Sequence, residues 1–402
     1  MHLVTLSLDS IQFGAPLPYA LRDANGTLLA GKGYVIKNQA ALEKLLGNGF
    51  DIFVDVVDVE NHRAYIKRLH HMVSENQALG AIASTKLGPG SDPARVEVGA
   101  GPPDWLDLQV QASALLRDTA SPTFLSRFNR LHQILLTYAR RNPDSALFAL
   151  FYLSAHEIKM YSATHAMLVS VICGLAARTV LNWSPEQEEV LSRAALTMNL
   201  GMAELQDRLA QQTQPISTEQ RKLIDEHAAR TVELLHKIGI DDDSWLDAIR
   251  YHHAAPPGPL STRTKSLRMA RLIQRADMLA ARLAPRASRT PTPLTVAMQA
   301  SYFDENRQVD EAGSALIKAI GIYAPGTFVR LSTNELAIVV RRGANTTTPK
   351  VAVVINRDGL PTSEPVVRDT ALRDYRITAS VSHSEVRVQI NLAKMLTLTT
   401  KS

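Results

Sequence analysis

"HAMLVSVICGLAA", His165 to Ala177, decides the fold of this chain. At helical spacing from His165, positions i+3, i+4, i+7 and i+11 are Leu168, Val169, Ile172 and Ala176, all apolar. The run is therefore a helix buried in a core, and the histidine that opens it faces inward. At this length it is too short to span a bilayer. Working outward, nearly everything from Trp105 to Ile320 reads as amphipathic helix with short breaks. "STEQRKLIDEHAARTVELLHKIG" reads as one helix opened by Ser217, with Gln220 as its capping-box partner. His227 falls within the apolar stripe of that helix (Leu223, Ile224, Leu234, Leu235, Ile238), and His236 falls on the solvated side. His252 and His253 close a further helix whose inward positions include Trp245, Ala248 and Ile249.

The flanks differ in period and composition. Residues 1–57 alternate strand-like runs with turn signals. Asn25-Gly26 supplies a hairpin turn, "NQAALEKLLGNG" a short helix closed by Gly47 and Gly49, and "FDIFVDV" a strand. A polar helical segment follows to residue 79. Residues 80–103, rich in Gly, Pro, Ser and Ala, read as a flexible linker. Beyond Gly321 the period changes to two, and "GTFVRLS", "ELAIVVRR" and "KVAVVIN" are three strands. The expected organisation is mainly α: an α+β module at 1–79, a linker at 80–103, a helical domain at 104–320, a small β appendix at 321–369 and a tail at 370–402. That tail should hold one more short strand and a loose end.

Composition limits the functional classes. The chain has 402 residues, 45% hydrophobic and 21% charged, which suits a soluble globular protein of two or three domains. A formal net charge of +5 suits an anionic ligand. It is too small to imply nucleic acid, and the basic residues have no aromatic interleaving. The single cysteine, Cys173, excludes an intramolecular disulfide framework and fits a reducing compartment. "MHLVTLSLDS" lacks the pattern of a secretory signal, so the expected location is the cytoplasm, without membrane insertion.

Asp277 is the most informative residue. In "SLRMARLIQRADMLAARLAPR", Arg268, Arg271, Arg275 and Arg282 share one face, and Asp277 projects from the opposite one among Ala270, Ile273 and Ala284. A carboxylate there is expensive to bury unless it is paired or binds a cation. Any one inward histidine is most simply a hydrogen-bonded core residue. Together, His165, His227, His252, His253 and Asp277 point to metal-site ancestry. The arginine stripe reads as a solvated face, with a phosphate-binding surface as the alternative.

From "YSATHAMLVSV" to "RADMLAAR" the chain resembles the HD-GYP branch of the HD-domain metal-dependent phosphohydrolases. The similarity continues into "GIYAPGTFVRLSTNELAIVVRRG" and covers about half the chain. The N-terminal module also looks like the domain often found ahead of HD-GYP. The resemblance implies an HD-type helical bundle holding two or three metal ions, usually iron or manganese, that hydrolyses cyclic di-GMP. Position by position, the family's metal ligands match His165, His227, His252, His253 and Asp277. Where the family reads Leu-His-Asp-Ile-Gly-Lys, this chain has "TMNLGM". Gly201 keeps the register, Met198 and Asn199 replace the His-Asp pair, and Met202 replaces the lysine. "AAPPGPL" after the paired histidines lacks the family's glutamate and its Gly-Tyr-Pro loop.

These losses fall on the chemistry. Two-metal hydrolysis needs a held hydroxide and a clamp on the leaving oxygen, and a neutral Asn is a poor bridging ligand for hard cations. The resemblance therefore implies a degenerate member with no intact catalytic set, acting as an adaptor or receptor in cyclic-dinucleotide signalling. Its partners would be signalling proteins, diguanylate cyclases among them, or a cyclic dinucleotide contacted through Arg263, Arg268 or Arg271. The alternative is a residual or altered phosphodiesterase using one metal at His227, His252 and His253. The expected cofactor is none, or one weakly bound Fe, Mn or Zn ion.

Overall fold

The computed structural model describes residues 104–400 apart from 157, 289–291 and 389. Within the first 55 residues it describes 3–6, 11, 13–14, 16–17, 20–23, 28–31, 33–46 and 52–55. The chain divides into two units, Met1–Arg95 and Val96–Ser402. The segment at 58–79, the stretch 80–103 and the Asn25-Gly26 turn lie outside the described residues.

The first unit is an antiparallel sheet with one helix. Strands β1 (Leu3–Leu6), β2 (Leu21–Arg22), β3 (Leu28–Ala30) and β4 (Ile52–Asp55) lie in the order β1-β4-β2-β3. β2 and β3 pair directly, as the hairpin pattern requires. Helix α1 (Gln39–Leu46) begins where the Asn38 side chain accepts the amide of Ala41 at 3.0 Å. Leu21, Ile36, Leu42 and Val54 form its small core.

The second unit is helical. It comprises α2 (Trp105–Arg117), α3 (Phe124–Arg141), α4 (Pro143–His156), α5 (Tyr161–Thr179), α6 (Pro185–Thr197), α7 (Ala203–Gln211), α8 (Thr218–Asp225), α9 (His227–Ile238), α10 (Asp243–Arg250), α11 (Lys265–Leu283), α12 (Leu294–Tyr302) and α13 (Glu311–Ile320). α5 is buried from Tyr161 through Ala177, as a helix apolar on every side must be, and α2, α3, α4, α6, α7, α11 and α13 all pack on it. Capping boxes start α6 (Ser184 with Gln187) and α8 (Ser217 with Gln220). Among the described residues no helix is long and apolar enough to cross a membrane.

A five-stranded antiparallel sheet follows: β5 (Phe328–Leu331), β6 (Leu336–Arg341), β7 (Lys350–Ile355), β8 (Pro361–Asp369) and β9 (Ile377–Val381), in the order β8-β7-β6-β5-β9. Alternation sends Phe328, Leu336, Ile338, Val340, Ala352 and Val354 into the helical core. Val329, Leu331, Ala337, Val339, Val351 and Val353 form a second cluster on the other face.

Four expectations are corrected. β8, not foreseen, is a largely exposed edge strand whose Pro361 and Pro365 weaken its sequence signal. The chain end is not loose: α14 (Leu392–Thr397) packs on α4 and buries Met395 and Leu396. The helix opened by Ser217 is two helices broken at Glu226. The arginine stripe is no solvated face, because Arg271 and Arg275 are among the largest fully buried side chains. Residues 303–310 form a loop between α12 and α13 that lays Glu305 and Asp310 on both guanidinium groups.

Candidate metal centre

The break at Glu226 aims the first histidine. An uninterrupted helix would give the Ile224 carbonyl to the amide of residue 228. Here the His227 ring takes it, with Nδ1 at 2.5 Å from the oxygen. At the end of α10, His252 repeats the arrangement, with Nδ1 at 2.6 Å from the Ile249 carbonyl. A carbonyl oxygen can only accept, so both Nδ1 atoms carry the proton, and in the neutral rings both Nε2 atoms are bare acceptors. Those two Nε2 atoms face each other at 3.3 Å. His253 completes the group, and one nitrogen from each of the three rings lies within 4.8 Å of the others.

Two lone pairs at that distance repel unless a cation lies between them. A proton is a poor candidate. Burial holds the His252 imidazole down to about 3, further lowered by His253, and burial also lowers His227. Metal–nitrogen bonds of about 2.0–2.1 Å at tetrahedral angles put two imidazole nitrogens about 3.3 Å apart. The fixed Nδ1–H···O=C bonds are the support that metal-bound histidines use. The three imidazoles therefore fit a single transition metal, for which nitrogen donors are well suited.

The other predicted ligands take a different arrangement. His165, on α5, and Asp277, on α11, bond to each other, with Nε2 and Oδ1 2.7 Å apart. Burial pushes the Asp277 carboxyl up, but the His165 hydrogen bond and the charges of His165, His252 and His253 outweigh it and hold it well below the usual carboxylate range. Tyr161, one turn before His165, stacks on that ring at 5.6 Å, and Arg286 lies over the tyrosine ring at 5.3 Å. Met198 is fully buried in the main core. Among the described residues the buried Asn199 Oδ1 has no partner, and neither has the buried Nδ1 of His165.

Gly201 keeps its place for a steric reason. A Cβ there would stand 2.9 Å from both the His227 carbonyl and the Thr231 amide, while its own N–H donates to the Thr231 hydroxyl at 2.9 Å. The "TMNLGM" turn is thus pressed against the first turn of α9.

The three arginines singled out for phosphate are placed unequally. Arg271 has its donors on Glu305, Asp310, Gln274 and the Ala255 carbonyl. Arg263 braces the carbonyls of Pro256, Gly258 and Pro259. Arg268 bonds through Nε to the Arg263 carbonyl, and its terminal nitrogens have no partner among the described residues. Two residues of the site escaped the sequence: Tyr161, which stands four before His165, and Gln274, which stands three before Asp277 on the same helix face. Helical spacing from the residues already singled out could have found both.

No family model and no curated protein matches this sequence. A solved structure described as Bd1817, a HDG"Y"P protein from Bdellovibrio bacteriovorus, is similar over 78% of this chain and 98% of that one, at 14% identity and a TM-score of 0.47.

Proposed function

We propose that this chain is a degenerate HD-GYP-like protein that takes up one transition metal at His227, His252 and His253. It acts in cyclic-dinucleotide signalling as an adaptor or receptor in the cytoplasm rather than as a hydrolase. The observation that supports this most is the division of the inward ligand set. Three imidazoles converge, while His165 and Asp277 close on one another and Met198 fills the core where the resemblance expects a histidine. Hydrolysis by two metals needs both halves. One ion on three imidazoles would supply a Lewis acid, and this chain's residues hold it without a bridging carboxylate or a lysine for the scissile phosphate. The Asn199 carbonyl is neutral and cannot offset the charge of a second ion.

Signalling partners, diguanylate cyclases among them, would be met through the folded surfaces of the two units. A cyclic dinucleotide would find its phosphate contact at Arg268, because Arg271 would first have to release Glu305 and Asp310. The second reading, a residual phosphodiesterase, draws on the same facing Nε2 pair, since a three-histidine metal with an open position can activate water. One experiment separates them: metal content, cyclic di-GMP binding by calorimetry and cyclic di-GMP turnover, all on the purified full chain. The expected result is at most one ion per chain and no turnover. Metal-dependent turnover abolished by His252→Ala would favour the enzyme.

A further inference from the structure

His227 and His252 are oriented by carbonyls of their own helical turns, but His253 is not. The residue is exposed, and among the described residues its ring makes no hydrogen bond and packs against the two neighbouring imidazoles. Its placement depends on its backbone. The segment that follows, Ala254 to Leu260, contains Pro256, Pro257 and Pro259, which have no N–H and cannot hold it in a backbone ladder. Donors on and just before α11 hold it by its carbonyls instead. Gln274 Nε2 donates to the His253 carbonyl at 3.1 Å. Arg271 Nη1 donates to the Ala255 carbonyl at 2.8 Å and to Gln274 Oε1 at 2.7 Å, which fixes the amide with its NH₂ toward His253. Arg271 is in turn locked by Asp310 and Glu305. Burying a glutamine and a guanidinium is costly unless they are paired, and here Gln274 donates to the His253 carbonyl while Arg271 is shared among the Ala255 carbonyl, Gln274, Glu305 and Asp310.

We infer that Gln274, braced by Arg271, is the positioning residue for His253 and sets whether the third imidazole reaches the metal. The inference rests on the metal reading above. Without Gln274 the His253 carbonyl loses its donor on α11 while Ala255 keeps its bond to Arg271, so the third imidazole is no longer fixed and the metal keeps only the two self-oriented histidines. The test is a cobalt(II) titration of the full chain, followed by visible absorption, on wild type, His253→Ala, Gln274→Leu, Gln274→Glu and the double variant Gln274→Leu with His253→Ala. Gln274→Leu should bind cobalt about tenfold more weakly, in the range seen for lost outer partners of metal ligands. Its spectrum should move toward that of His253→Ala, and it should add no further loss on the His253→Ala background. Gln274→Glu keeps the acceptor for Arg271 but has no donor for the carbonyl. It should show the same weakening, and it serves alone if the leucine variant does not fold. Wild-type affinity and spectrum in the Gln274 variants, or a full additional loss in the double variant, would overturn the positioning role and leave the metal reading standing. A wild-type chain that takes up no cobalt would overturn both.

Discussion

His165 and Asp277 close on each other at 2.7 Å, whereas His227 and His252 present two acceptors to one another across 3.3 Å. Both pairs come from the same inward ligand set and lie close enough that the Asp277 charge acts on both His227 and His252. The difference between them lies in their supports. His227 and His252 are held from behind by carbonyls of their own helical turns, so their free nitrogens cannot turn away. His165 has no such tether, for among the described residues its Nδ1 has no partner and its Nε2 is taken by the carboxylate. With Met198 and Asn199 at their positions, His165 and Asp277 pair with each other. In the function proposed above, one metal position is closed by internal pairing and the other is kept open by orientation.

Replacing His227, His252 and His253 together with alanine should have the largest effect. Cobalt affinity should fall at least about 100-fold, while the far-ultraviolet circular dichroism stays that of the wild type. Residual tight binding would place the ion elsewhere. Next, Asp277→Ala strikes the closed half. It leaves His165 buried without its partner and should cost about 1–3 kcal/mol in urea unfolding. The chain should still take up no more than one ion, and a gain of a second would break the contrast.

Installing the His-Asp pair that the resemblance expects, Met198→His with Asn199→Asp, should raise manganese uptake about tenfold without conferring cyclic di-GMP turnover, because Met202 and the loop after the paired histidines still differ from the family pattern. Turnover like that of an intact phosphodiesterase would show that the pair alone decides activity. The smallest effect on metal binding belongs to a residue outside both halves. Burial, with Arg193 and Arg140 nearby, holds His132 down to about 3. It is neutral in the fold and takes up a proton on unfolding, so stability falls as pH drops from its unfolded value of about 6.5 toward 3. The slope is about 1.4 kcal/mol per pH unit for this group. His132→Gln should flatten that acid limb by about one proton and leave cobalt affinity unchanged.

The bundle was readable because α5 is apolar on every side and α11 carries Asp277 on its small-residue face, patterns that survive without knowledge of neighbours. The residues that escaped depend on partners distant in sequence. Nothing local says that Glu305 and Asp310 will cover Arg271 and Arg275, so a basic stripe read as solvated. The break at Glu226 has no Gly or Pro to mark it and appears only when the His227 ring competes for the Ile224 carbonyl. β8 pairs on an exposed edge, where proline is tolerated and the alternating pattern fades.

The division of the site into one open and one closed half is tested most directly by the metal content of the full chain, purified from cells grown with iron, manganese and zinc and measured by elemental analysis beside the triple histidine variant. One ion or less per wild-type chain, absent from the variant, is the expected result. Two ions per chain at full occupancy would mean that His165 and Asp277 part to bind a second metal, and the closed half would not exist.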